Sequence, residues 1–167
     1  MHASRVSNCS RCVRHARYCG AVSDDIGQEI AESLGRLIQR GTRSGLYAAL
    51  VEDVADGLDE NAYPVLSGLA RTGPRNAADL AAVIGLDRSG VSRHASRLEA
   101  AGLVRREADP ADRRSVLLVL TEEGAAAVAE MRRRFAERVA AALATWPPGE
   151  AEAFARGLRR FAEEGPF

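Results

Sequence analysis

The chain contains no lysine; all 23 of its basic residues are arginine. Together with abundant alanine and glycine, that bias suits a GC-rich genome, so arginine frequency alone points to no function. Histidine is scarce, and two of the three, His2 and His15, fall near the start of the chain. No cysteine follows Cys19. The glycine-rich phosphate loop, the G-x-S-x-G nucleophile elbow and the H-E-x-x-H zinc motif are all missing. These absences argue against an enzyme and give no reason to expect a cofactor. His94, the remaining histidine, reads as a helix residue or a phosphate contact rather than a general base. No segment approaches the roughly 18 consecutive apolar residues of a membrane span, so no membrane partner is expected and a cytoplasmic location is.

Formal net charge is zero, which taken alone speaks against a nucleic-acid partner. The distribution answers that objection. Gly45 to Ala62 holds five acids and no base, whereas Arg88 to Arg114 carries seven arginines against four acids. The second stretch is therefore locally positive, as a DNA-reading surface must be.

The chain is organised around Asn76 to Gly124. Asn76 is an N-cap residue with Asp79 three positions on, and Leu80, Val83 and Ile84 form a helical apolar stripe closed by Gly85. After a turn, Asp87 caps a second helix in which Val91, Ala95 and Leu98 recur at i, i+4 and i+7 and must face a core. At 100° per residue the opposite face carries Ser89, Ser92, Arg93, Ser96 and Arg97, with Arg88 at its start. Gly102 stops that helix. Two β-prone runs, LVRR and SVLLVL, flank the polar stretch Glu107 to Arg114, which fits a hairpin with a charged loop. Thr121 caps the helix beyond, with Glu122 and Glu123 in its first turn. Helix, turn, helix and ribbon in this order predict a winged helix-turn-helix.

The run LDRSGVSRHASRLEAAGLVRREADPADRRSVLLVLTEEG resembles the MarR family of bacterial winged-helix regulators. The likeness rests on the DRS-xVSR-type recognition helix, the D-P-x-D-R-R wing and the L-T-x-x-G exit into a long helix. Gly90 stands where many relatives have threonine, and His94 where they have an aliphatic residue. The resemblance implies a mainly α fold with a small β-wing, with residues 24–164 forming one MarR-type domain. Within it 59–120 would be the winged DNA-binding part, and 24–58 and 121–164 the N- and C-terminal dimerisation helices. It further implies a homodimer on double-stranded DNA at a palindromic operator, acting as a repressor and released by a small-molecule effector or by redox chemistry. The DNA contacts expected are Arg88, Ser89, Ser92, Arg93, Ser96, Arg97, Arg113 and Arg114, with Asp112 orienting a wing arginine by charge pairing.

Patterns on either side agree with that assembly. Ile26, Ile30, Leu34, Leu37 and Ile38 form one stripe; a second segment runs from Leu46 to Leu58; and Asn61 is placed to cap a helix with Pro64 in its first turn. Val128, Met131, Phe135, Val139, Leu143 and Trp146 recur at steps of three and four, and after Pro147-Pro148-Gly149 a last helix displays Phe154, Leu158 and Phe161. These faces need a partner surface, and a two-fold axis supplies one.

Residues 1–23 stand apart, with four arginines, no acid and all three cysteines. They read as a leader without fixed structure. The competing reading is a metal- or redox-responsive switch built on Cys9, Cys12, His15 and Cys19, four candidate zinc or iron–sulfur ligands. A winged helix used for protein contacts is the other alternative, and the polar outer face of the second helix argues against it.

Overall fold

A computed structural model describes residues 24–112 and 114–165. The leader with its Cys9, Cys12, His15 and Cys19 cluster, and the wing residue Arg113, lie outside the described residues. The chain divides between Arg43 and Ser44 into two compact units.

Of the first unit, α1 (Asp24–Ile38) is the main described element. Its expected stripe is present on the helix, with Ile26, Ile30, Leu37 and Ile38 exposed and Leu34 half-buried.

The second unit begins within α2 (Arg40–Val51). This helix starts earlier and stops earlier than the segment expected over Leu46 to Leu58. Leu50 and Val51 are buried at its end, and consecutive turns then carry the chain to residue 62. Asp53 (φ 54°) and Gly57 (φ 75°) take left-handed backbone there, which a helix cannot continue through. Helix α3 (Tyr63–Thr72) has Pro64 in its first turn, where no amide donor is missed. Asn61 is not its cap. No side chain caps α3; the Asp59 carboxylate closes the turn before it, with Oδ1 accepting from the amides of Asn61 at 3.1 Å and Ala62 at 2.8 Å.

Three helices and a ribbon then enclose the core. Helix α4 (Ala77–Ile84) and α5 (Arg88–Ala100) form the helix-turn-helix, and β1 (Val104–Ala108) pairs antiparallel with β2 (Val116–Leu120), Val104 opposite Leu120 and Ala108 opposite Val116. The strand therefore claims Glu107 and Ala108, which the sequence assigned to the loop. Arg75 adds a backbone bridge to Leu118 on β2, its amide donating at 3.3 Å and its carbonyl accepting at 2.8 Å. Leu66, Leu80, Val91, Ala95 and Leu98 are completely buried, each large aliphatic side chain contributing about 1.5–3 kcal/mol. One expected core residue is misplaced: Val83 is half-exposed, and Ala81 is buried in its stead. The α4 face is set by its approach to α3, where a methyl on Gly68 would sit 2.6 Å from Ile84 Cγ2.

Helix α6 (Glu122–Leu143) leaves the core along its length. Val128 and Met131 are buried among the winged-helix residues, whereas Phe135 and Val139, one and two turns on, are exposed. Its start is held tightly. Gly124 is buried, and a methyl group there would overlap the Leu103 carbonyl oxygen. Helix α7 (Glu150–Glu164) buries no residue; Phe154 and Leu158 are exposed, and Trp146 lies with its ring 5.4 Å from that of Phe154. Among the described residues no helix is long and apolar enough to cross a membrane.

Candidate nucleic-acid interface

The recognition helix is positioned from both ends. Asn76 Oδ1 accepts the amides of Ala78 and Asp79 at 3.0 and 2.9 Å, and its Nδ2 donates to Asp79 Oδ2 at 2.9 Å, which closes the first turn of α4. Gly85, at φ 69°, ends α4. Asp87 then starts α5 by accepting the Gly90 amide at 2.7 Å and the Ser89 hydroxyl. Those two hydrogen bonds, the hydroxyl first, hold the Asp87 carboxyl below its ordinary value. Gly90 is buried with its Cβ position 3.0 Å from Asp87 Oδ2, so a side chain there would press on the cap. At the other end Gly102, with φ 74°, turns the chain into the wing.

With Val91, Ala95 and Leu98 fixed inward, Ser89, Arg93 and Ser96 are exposed on the far side and Ser92 is half-buried at its edge. Arg88 projects at the N-terminus. The hydroxyl of Ser96 is already engaged: it donates to the Ser92 carbonyl at 3.1 Å and accepts from Arg106 Nη2 at 2.8 Å. Arg106 also pairs with Glu99, Nε to Oε2 at 3.0 Å, and so joins β1 to the recognition helix.

Arg97 is directed elsewhere. Its Nη2 lies 2.7 Å from Asp59 Oδ2, in the acidic turn before α3. Partial burial pushes the Asp59 carboxyl up, but hydrogen bonds from Arg97 and the Ala62 amide, with the charges of Arg97 and His94, outweigh it and leave the group below its ordinary value. His94 is half-buried on the same flank, and its buried Nδ1 has no hydrogen-bond partner. Burial is the main reason its imidazole is held below 6.5; Arg93 and Arg97 lower it further, and Asp59 and Asp87 oppose the shift.

In the wing, Asp112 was expected to pair with an arginine side chain. Its Oδ1 accepts the backbone amide of Arg114 at 3.0 Å and its carbonyl accepts from Ser115 at 2.8 Å; Arg113, the other wing arginine, lies outside the described residues. Asp109 similarly accepts the Ala111 amide at 2.8 Å. The loop is thus shaped by short acidic side chains closing local turns. Between wing, recognition helix and the start of α4 lies a groove of about 400 Å³, whose polar lining includes Asn76, Arg88, Ser92, Arg106, Asp112 and Arg114. Three arginines face one carboxylate across it.

Of the residues expected from sequence, the structure brings Arg88, Ser92, Asp112 and Arg114 to one groove and Ser89, Arg93 and Ser96 to one helix face, and turns Arg97 toward Asp59. The sequence reading missed Asn76 and Arg106 as parts of the same surface. The signal for Arg106 was strand alternation opposite a charged helix, which gives direction but no contact.

Residues 56–115 match the model of the MarR family. The HTH-type transcriptional regulator YxaD of Bacillus subtilis (strain 168) is 32% identical over 118 residues, which cover 71% of this chain and 82% of that protein. The chain belongs to the MarR family. It is a winged-helix transcription regulator. The crystal structure of RV1404 from Mycobacterium tuberculosis superposes with a TM-score of 0.66 at 25% identity, covering 90% of this chain and 99% of that one. BpsR of Bordetella bronchiseptica, whose DNA binding is regulated by 6-hydroxynicotinic acid, is 28% identical with a TM-score of 0.56, over 80% of this chain and 98% of its own.

Proposed function

We propose that this MarR-family regulator is a repressor that binds a palindromic operator as a homodimer and leaves it when a small molecule binds. The observation that carries the DNA reading is the juxtaposition of the solvent face of α5 with the arginine-lined groove beside it. A helix of this kind lies in the major groove with its N-terminal residues nearest the base edges. Arg93 reads guanine O6 and N7 there, Ser89 and Ser92 contact bases or phosphates, and Arg88, Arg113 and Arg114 hold the backbone or the adjacent minor groove. Asp112 acts on the wing through the Arg114 backbone. Ser96 lies at the surface with its proton and one lone pair engaged inside the protein, so it offers DNA one acceptor and no donor.

Dimerisation is supported by the apolar side chains left exposed among the described residues: Phe135 and Val139 on α6, and Phe154 and Leu158 on α7. The BpsR relative supports release by a small ligand. The test is selection of a binding sequence from a random duplex library, followed by titration of that operator and a scrambled duplex at several salt concentrations. A palindromic consensus bound by two protomers is expected, with log K falling against log salt by about 0.9 per phosphate neutralised. Binding that is indifferent to salt and sequence would return the module to the protein-contact reading.

A further inference from the structure

Seven arginines lie between Arg88 and Arg114, and one of those on the recognition helix is already occupied by an acid of the same protein. We propose that Asp59 is a specificity-determining residue that withholds Arg97 from DNA, so that the recognition helix presents Arg93 as its base reader without a second, indiscriminate cation beside it. This inference rests on the DNA reading above and concerns how that surface is limited.

Three observations carry it. First, the Asp59 carboxylate is a bridge with both oxygens committed: Oδ1 to the amides of Asn61 and Ala62 in the turn before α3, and Oδ2 to Arg97 at 2.7 Å. A carboxylate fixed by two backbone donors is pre-organised to hold a guanidinium, because it does not have to be ordered when the pair forms. Second, the helix geometry takes Arg97 away from the reading axis. At 100° per residue Arg97 is rotated about 40° beyond Arg93, further from Ser89 and Ser96 and toward the turn before α3. Third, that turn is acidic throughout. Glu52, Asp53, Asp56, Asp59 and Glu60 occupy nine positions without a base, and they line an open cleft beside it. A phosphate approaching Arg97 from this side meets like charge, whereas the groove on the other flank of α5 is lined by Arg88, Arg106 and Arg114. The recognition helix is thus attractive to DNA on one flank and fenced on the other. The depressed carboxyl of Asp59 keeps the hold intact across the neutral range.

The expected size is modest, because the Arg97 side chain is 48% exposed and that of Asp59 29%. A pair so open to water shifts an equilibrium by at most about fivefold. Asp59→Asn is the direct test, since the asparagine side-chain oxygen still accepts the Asn61 and Ala62 amides of the turn while the charge that holds Arg97 is lost. Wild type, Asp59→Asn, Arg97→Gln and the double variant are titrated against a fluorescein-labelled random-sequence duplex at four salt concentrations, with circular dichroism melts to confirm folding.

Asp59→Asn is expected to bind about two- to fivefold tighter per protomer, with a salt slope steeper by about 0.9 per protomer. Arg97→Gln should match wild type in both quantities, and the double variant should return to the wild-type slope. A folded Asp59→Asn protein that binds more weakly, or no differently, overturns the proposal. So does a folded Arg97→Gln protein whose affinity and salt slope both fall, because Arg97 would then already be on the DNA. If Asp59→Asn does not fold, the Arg97→Gln arm decides alone. Failure of the underlying reading looks different: wild type itself would then bind the duplex without salt dependence.

Discussion

Gly124 sits where the first turn of α6 passes the chain leaving the recognition helix. Its Cβ position overlaps the Leu103 carbonyl oxygen and lies 3.2 Å from Leu120 Cδ2. Gly124→Ala therefore forces α6 away from Leu103, and the shift acts on two hydrogen bonds at once. The Gly124 amide donates to Thr121 Oγ1 at 3.0 Å, and the Thr121 amide donates to the Leu103 carbonyl at 3.2 Å. Loss of an N-cap costs about 0.5–2 kcal/mol, and overpacking a filled site about 1–3 kcal/mol. Alanine recovers up to about 1 kcal/mol in helix propensity, so the net expectation is a loss of about 2–3 kcal/mol. For a chain of this size each kcal/mol is worth about 2–4 °C, which places the melting temperature about 4–12 °C below wild type. The assay is thermal unfolding followed at 222 nm, with Thr121→Ala as reference. Thr121→Ala removes the same cap, together with the 2.7 Å bond from Thr121 Oγ1 to the Gly102 carbonyl, but adds no atom. The loss in Gly124→Ala is steric as well as polar. If Gly124→Ala melts within 1 °C of wild type while Thr121→Ala is destabilised, the close approach of α6 to Leu103 is wrong.

Three further predictions concern the reading head and the outer helices. Arg93→Ala should cost about 1–3 kcal/mol on the selected operator and relax preference at one base pair per half-site, whereas Arg114→Ala should weaken operator and scrambled duplex alike; equal effects of both substitutions on both duplexes would contradict the division of labour. His94 is held below 6.5, so the native state stays neutral where the unfolded chain binds a proton; its penalty is absent above that pH and grows as pH falls from about 6.5 toward the folded value. Denaturant midpoints measured from pH 7.5 to 5 should therefore fall less steeply in His94→Gln, and parallel profiles would refute the assignment. Phe154→Asp, on α7, where no residue is buried among the described residues, should convert a dimer to monomers in sedimentation at micromolar concentration without unfolding the winged part, and an unchanged dimer would move the interface elsewhere.

Local chemistry was legible in the sequence and distant pairing was not. Asn76, Asp87 and Thr121 cap their helices as their residue types require, and the fully buried Val91, Ala95 and Leu98 follow from spacing alone. Periodicity gives an angle around a helix; it does not say what lies at that angle. Val83 and Ile84 fit the same apolar stripe, and only the approach of α3 at Gly68 decides that Ile84 goes in and Val83 stays out. Val128 to Leu143 reads as one continuous face although a core covers only its first part. The same limit applies at the surface. Arg93 and Arg97 look alike in a helical projection, and what separates them is an aspartate 38 positions upstream of Arg97. Asp59 gave no local sign of this role, because its i+2 and i+3 bonds close only the turn it sits in. Asn61, a residue type common at caps, drew the assignment instead.

The Arg106 contacts limit how such a regulator can change its target. By binding Ser96 and Glu99 from the first wing strand, Arg106 makes ribbon and recognition helix a single body, so a displacement of either is felt by both. With the Ser96 proton donated to the Ser92 carbonyl and one lone pair taken by Arg106, position 96 keeps a single acceptor and no donor to offer a base. With Arg97 engaged as well, the residues free to spell a new operator reduce to the first half of the helix. A lineage acquiring a new target site would then be expected to vary there and leave Ser96 and Arg106 to change together.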